Sequence, residues 1–219
     1  MAARQIDDTY AGYRTRLVEI LRENGIEDIS VLAAFARVPR HVFVPEALRA
    51  RAYDDASLPI GHQQTISRPT THARFLETLQ LRGDEAVLEV GTGSGFQTGL
   101  LAFLARHVTS MERVSELAER ARQSLRALDV QNAMVVTGDG TVGWRPNAPY
   151  DAIVVSAAGQ KVPKPLLDQL AVGGQLLMPI DRGTHQVVAR VRKTEEGLSA
   201  EELDAARFVP LIRGKKAEP

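Results

Sequence analysis

Three glycines within five residues, in Val87-Leu88-Glu89-Val90-Gly91-Thr92-Gly93-Ser94-Gly95, form the pattern in this chain with the clearest chemical meaning. Glycines at the end of a short apolar run allow a tight turn and let a ligand approach the backbone closely. The spacing is G-x-G-x-G. It differs from the dinucleotide fingerprint G-x-G-x-x-G because position 96 is Phe, and it lacks the Gly-Lys-Ser/Thr of a phosphate-binding loop. Neither a nicotinamide dinucleotide nor ATP is therefore the natural ligand. Glu112 closes the next apolar run, 21 positions after Gly91. A carboxylate there can accept two hydrogen bonds from a ribose diol. Gly138-Asp139-Gly140 follows a third run. Asp139 could accept a bond from an exocyclic amine such as that of adenine, or form an ordinary Asp-Gly turn.

These residues need elements to hold them. Short β-branched runs at 86–90, 107–111, 133–137, 150–156, 175–180 and 186–192 predict strands. Helical spacing predicts helices at 96–106 and 115–128, with a short one at 165–170 that ends in Gly173-Gly174 as cap and turn. Strands and helices alternating at this spacing imply an α/β fold, a parallel sheet covered on both faces. The first 80 residues read as helix and loop. Leu17, Ile20 and Leu21 sit at helical spacing before Asn24-Gly25, a second helix spans 31–38, and a third spans 70–81. The stretch from Tyr53 to Pro69 carries Asp, Ser, Pro, Gly, His and Gln with little periodicity, and reads as a long functional loop.

Composition narrows the function classes. The chain has 219 residues, 44% of them hydrophobic and 25% charged, so one compact domain with its own core is expected. Lys+Arg and Asp+Glu both number 27, and a formal net charge of zero argues against nucleic acid or an anionic membrane as partner. There is no cysteine, which excludes disulfides, thiolate nucleophiles and cysteine-held metals; no metal is expected. No apolar targeting segment or membrane span is visible, so a cytoplasmic protein is the default reading, and a monomer is expected. The charged tail from Gly214 to Pro219 reads as frayed.

Taken together, the glycine loop, Glu112 and Asp139-Gly140 describe a site for S-adenosyl-L-methionine. With further segments the chain resembles the protein-L-isoaspartate O-methyltransferase family. The resemblance is carried by Tyr53-Asp54-Asp55, Leu58-Pro59-Ile60-Gly61, Gln64-Thr65-Ile66-Ser67, Val87 through Gln97, and Gly138-Asp139-Gly140 with Gly143-Trp144. It continues through Ala148-Pro149-Tyr150-Asp151, Leu167-Asp168-Gln169-Leu170 with Gly173-Gly174, and Phe208-Val209-Pro210-Leu211, and so covers essentially the whole chain. It implies a doubly wound Rossmann-like methyltransferase sheet, mostly parallel with an antiparallel C-terminal strand. It divides the chain into a helical N-terminal segment with the substrate loop (1–80), the core (81–213) and a tail (214–219).

The resemblance also implies a site. The cofactor methyl would lie beside Ser67, and the pocket would be lined by Thr65, Ile66, Ser67, His72, Glu89, Gly91, Thr92, Gly93, Ser94, Gly95, Gln97, Glu112, Asp139 and Gly140. His72 matches a histidine present in some members and replaced by an apolar residue in many bacterial ones. The chain departs from the family at Gln63, where Gly is usual, at Arg68-Pro69-Thr70 after the serine, and at Asp181, where Gly is frequent. Gln63 and Arg68 border the expected substrate cleft and are candidate peptide contacts.

The implied reaction is methyl esterification of the free α-type carboxylate of L-isoaspartyl residues in damaged peptides and proteins, leading to repair through a succinimide. That carboxylate, with a reference pKa of about 3.3–3.7, is ionised at neutral pH and needs no strong base. Ser67 would then position it, while the same hydroxyl could instead cap the following helix. Other readings are a carboxylate methyltransferase acting on a peptide natural product or small molecule, and a cofactor-binding module without turnover. A nicotinamide-dependent oxidoreductase is disfavoured by the glycine spacing.

Overall fold

The computed structural model describes residues 8–214. Its centre is a seven-stranded sheet built from β3 (Ala86–Val90), β4 (His107–Glu112), β5 (Ala133–Thr137), β6 (Tyr150–Val155), β7 (Leu170–Asp181), β8 (Gln186–Thr194) and β9 (Gly197–Ala206), in the order β5-β4-β3-β6-β7-β8-β9. The first five of these strands run parallel, and β8 and β9 are antiparallel to their neighbours. The chain leaves β3 toward β4 and β5, then returns to β6 on the other side of β3. That reversal opens a crevice at the carboxyl ends of β3, β4 and β6, where open α/β sheets bind ligands.

Both faces of the sheet are covered, as the apolar runs require. Period-two alternation divides them. Val87, Ala152 and Val154 face a core shared with the N-terminal helices, while Leu88, Val90, Ile153 and Val155 face a second core. Helices α4 (Phe96–Leu104) and α5 (Ser115–Ala127) follow β3 and β4, and the short α6 (Lys164–Asp168) precedes β7. The N-terminal helices α1 (Ala11–Glu23), α2 (Ile29–Arg37) and α3 (Pro69–Leu79) bury Leu17, Leu21, Phe35 and Leu76 in the first of these cores, together with Phe96 and Leu100. Asp28 starts α2 by accepting bonds from Ser30 N and Val31 N at 2.8 and 3.1 Å, an ordinary carboxylate cap.

The structure corrects three expectations. The Tyr53–Pro69 stretch is not all loop, since β1 (Leu58–Gly61) and β2 (Gln64–Ile66) pair as an antiparallel hairpin. The periodicity was hidden by a pair too short to alternate visibly. Gly173-Gly174 is not a helix cap; both glycines lie inside β7, at an irregularity where β6 and β7 shift register. A Cβ on Gly174 would stand 2.8 Å from Asp151 O, so the glycine is there for close backbone approach. Finally there are two antiparallel C-terminal strands, not one. The run that forms β9, Gly-Leu-Ser-Ala-Glu-Glu-Leu-Asp-Ala-Ala, is rich in helix formers, and pairing with β8 overrides that propensity. Of the expected frayed tail, residues 215–219 lie outside the described residues.

Candidate active site

The glycine loop joins β3 to α4 with Gly91, Gly93 and Gly95 at φ of 98°, 54° and 88°, in the left-handed region that favours glycine. Gly91 N and Thr92 N bond to Met111 O, which ties the loop to the tip of β4. Glu112 ends β4 and is buried. Its Oε2 accepts from Gly93 N at 2.8 Å and its Oε1 from Val114 N at 2.9 Å. Each oxygen keeps acceptor capacity, so the carboxylate is fixed in place yet able to receive a diol.

A pocket opens at this crevice. Of the fourteen expected residues, Thr65, Ile66, Ser67, His72, Gly91, Thr92, Gly93, Ser94, Gln97, Glu112 and Gly140 line it. Glu89, Gly95 and Asp139 do not. A Cβ on Gly95 would meet Ala121 at 3.0 Å, so this glycine lets α4 pack against α5. Asp139 Oδ1 accepts from Thr141 N and Oγ1, and Oδ2 accepts from Gly214 N at 2.7 Å, so its carboxylate organises the following turn and the C-terminal segment. Beside it Gly140 is the close-approach residue, since a Cβ there would fall 2.4 Å from Val90 Cγ1.

Glu89 lies beneath the pocket with no exposed surface. Its Oε1 accepts from Gln97 Nε2 at 3.1 Å, and its Oε2 accepts from Thr98 Oγ1 at 2.5 Å and Ser110 Oγ at 2.6 Å. Burial pushes its pKa up to about 7, against the lowering effect of those three donors. Gln97 passes the network on, donating to Ser156 Oγ at 2.8 Å while its Oε1 lies 2.7 Å from His72 Nδ1. Since Oε1 can only accept, His72 carries its proton on Nδ1. Its Nε2 is a buried acceptor with no partner among the described residues, on a residue that lines the pocket. Burial, reinforced by the Arg40 charge, pushes His72 down to about 3, so the ring is neutral at neutral pH.

Ser67 follows β2 and precedes α3. It does not cap the helix. The donor at Thr70 N is bound instead by Asp55 Oδ1 at 2.8 Å, with Arg68 Nη2 on the other Asp55 oxygen at 2.7 Å. Arg40 Nη2 donates to Ser67 O at 2.8 Å and to Ala56 O at 3.3 Å. Arg40 has no exposed surface, and its guanidinium lies 4.9 Å from the Phe96 ring centroid. Desolvation pulls its pKa down to about 9. The serine's backbone is thus held by a buried cation that the sequence, with one arginine in Val38-Pro39-Arg40-His41, gave no reason to single out.

A second, open cleft of about 1200 Å³ adjoins the pocket, and Thr65, Ser67, Ser156 and Val209 line both. Ser156 was not foreseen, although its place just after β6, beside β3, is where the strand reversal puts a ligand. Gln63 lines neither cavity. It occupies the hairpin turn with His62, both at positive φ (60° and 53°), which explains why glycine suits the position. Arg68 and Thr70 do line the cleft; Asp181 lines neither cavity and accepts from Gly183 N at 2.8 Å in the β7–β8 turn.

A strand reversal, a glycine loop and a fixed carboxylate at the next strand tip define a Rossmann-like nucleoside-cofactor enzyme, with an acceptor cleft beside the cofactor site. The comparisons narrow the class. The model of the family Protein-L-isoaspartate(D-aspartate) O-methyltransferase (PCMT) matches residues 13–216, and the chain belongs to that family. It is 47% identical over 202 residues to the protein-L-isoaspartate O-methyltransferase of Pseudomonas paraeruginosa, covering 92% of this chain and 96% of that one. Identity to the Dictyoglomus thermophilum protein of the same name is 45%, covering 92% of both chains. A solved structure of a protein-L-isoaspartate O-methyltransferase from Plasmodium falciparum, in complex with S-adenosyl-L-homocysteine, superposes with a TM-score of 0.81 at 27% identity, covering 91% of this chain and 98% of that one.

Proposed function

We propose that this chain uses S-adenosyl-L-methionine to esterify the free α-carboxylate of L-isoaspartyl residues in peptides and proteins, beginning a repair that proceeds through a succinimide. The observation that carries the mechanism is Ser67 on the wall common to the pocket and the adjoining cleft. A group there can touch an acceptor in one cavity and a donor in the other.

The residues present fit the cofactor. The glycine loop lets a ligand approach its backbone, Glu112 has acceptor capacity for a ribose diol, and His72 Nε2 is a buried acceptor at the pocket wall with no partner among the described residues. When bound, the cofactor supplies an electrophilic methyl on a sulfonium. Everything else is positioning. The acceptor carboxylate is ionised at neutral pH, so no residue has to remove a proton. His72 is neutral and cannot compete as a cation for that carboxylate. The Ser67 hydroxyl donates to the carboxylate, and Arg40 and Asp55 hold the Ser67–Thr70 backbone at its two ends. Glu89 and Gln97 act through His72 and Ser156 and are positioning residues.

Selectivity follows from geometry. An isoaspartyl carboxylate sits on the branching carbon, one methylene nearer the gripped backbone than an aspartyl carboxylate. A displacement of about 1 Å can cost about a hundredfold in rate. Methyl incorporation into matched isoaspartyl and aspartyl peptides is the test, with incorporation expected only into the first. Equal rates would overturn the assignment. On this reading the protein acts as a monomer in the cytoplasm, and sedimentation at the mass of a single chain, 23.9 kDa, checks the monomer.

A further inference from the structure

The open cleft has a definite chemistry. One wall is the face of α3 that carries Thr70, Thr71, Arg74, Phe75 and Thr78, the i, i+4, i+8 stripe of a helix running away from Ser67. The other wall is the second half of β9 and the segment after it, including Arg207 and Phe208. The walls touch through Phe75 and Phe208, whose ring centroids are 5.2 Å apart. Arg74 and Arg207 are the chain neighbours of those two rings, and each lines the cleft from its own wall.

Most charges lining the cleft are neutralised. Arg68 pairs with Asp55, Arg190 with Glu201 and Glu202 with Arg182. Arg74, Arg207 and Asp204 remain without an ion pair among the described residues, and two cations against one anion leave the cleft positive in a chain with no net charge. Arg74 is five residues into α3 from Pro69, about 7.5 Å along the axis at 1.5 Å per residue. Helical side chains lean back toward the N-terminus, so its guanidinium reaches toward the Ser67 end. An extended peptide rises about 3.3 Å per residue, and so covers that distance in two to three residues.

We propose that Arg74 and Arg207 form an anionic-side-chain subsite, making this enzyme prefer isoaspartyl peptides that carry Asp or Glu two or three residues from the isoaspartyl residue. The inference rests on the isoaspartyl reading and adds a specificity to it. No residue of the methyl-transfer machinery takes part, so the preference belongs to KM and leaves kcat unchanged. An exposed ion pair corresponds to about a 1.4- to fivefold gain in kcat/KM per arginine, weakened by salt.

The experiment uses isoaspartyl peptides with neutral flanks, with Glu two or three positions to either side, and with Lys in the same places. Methyl transfer is measured for the full-length protein and for Arg74→Gln, Arg207→Gln and the double variant, at low and high salt. Both side chains are exposed, and melting temperature checks that the variants fold. The expected result is an acidic-over-neutral-over-Lys order in the unsubstituted protein, reduced by each substitution, abolished in the double variant and flattened by salt. An unchanged order in the double variant overturns the proposal. So does an equal loss on the neutral peptide, because the arginines would then act on the isoaspartyl carboxylate itself. No methylation of any isoaspartyl peptide, by contrast, would overturn the underlying reading of the function.

Discussion

At the scale of single residues the site separates roles that the sequence left merged. Ser67 could have been a helix cap or a positioning hydroxyl, and it is Asp55, from 15 residues upstream, that accepts the Thr70 N–H in the first turn of α3. Ser67→Ala should therefore lower kcat with little change in melting temperature. Asp55→Ala should lower stability by about 1 kcal/mol, the usual value of a lost cap, as read from urea unfolding. Glu112→Ala should weaken S-adenosyl-L-homocysteine binding by roughly 1–3 kcal/mol in calorimetry, through the lost diol partner and the freed Gly93 N–H. Glu89 gives a pH signature. Its folded pKa of about 7 lies above the ordinary carboxylate value of 4.5, so the native state holds the proton more tightly. The stability it contributes is fully present below pH 4.5 and is lost as pH rises through 7. His72, depressed to about 3 from 6.5, has the opposite slope: its contribution is present above pH 6.5 and is lost as pH falls toward 3. Replacing Glu89 by Gln removes the first slope alone. The melting-temperature advantage of the unsubstituted protein over Glu89→Gln should shrink steadily between pH 4.5 and 7; a constant difference would place Glu89 at an ordinary pKa.

Elements were legible where a strong period met a clear breaker. The strands at 86–90 and 133–137 match the expected limits, because β-branched runs there end in glycine or polar residues. The hairpin at 58–66 and the strand at 197–206 were hidden for different reasons. The hairpin is too short to show alternation, and the strand is made of residues with another preference. The same hairpin explains a family departure that sequence alone assigned to substrate contact. Gln63 holds φ of 60° in a turn where both central residues are left-handed, a conformation that strains side-chain-bearing residues by about 1–2 kcal/mol. Gln63→Gly should raise the unfolding free energy by a fraction of that, offset by the greater entropy of the unfolded chain, and should leave methyl transfer unchanged.

For the whole molecule, the α/β architecture and the cofactor side of the site were readable because they depend on local runs and fixed spacings. The acceptor side was readable in part: Ser67 and Arg68, expected at the substrate cleft, do line it, whereas the walls that α3 and β9 contribute lie more than 100 residues apart in sequence and no local pattern joins them. No spacing rule connects Arg74 to Arg207. Arg40 illustrates the same limit. Its role depends on a carbonyl 27 positions away and on the Phe96 ring, neither of which marks it in the sequence.

The wall shared by Thr65, Ser67, Ser156 and Val209 has a consequence in thermodynamic linkage. A side chain that touches both occupants makes the free energy of one depend on the presence of the other, and that coupling is reciprocal. Whatever factor bound S-adenosyl-L-homocysteine imposes on the dissociation constant of an isoaspartyl peptide, the peptide must impose on that of S-adenosyl-L-homocysteine. The four residues on that wall are where the factor is set, so Ser67→Ala should change it by one amount, whether it is read from the peptide's constant with and without S-adenosyl-L-homocysteine or from the S-adenosyl-L-homocysteine constant with and without peptide.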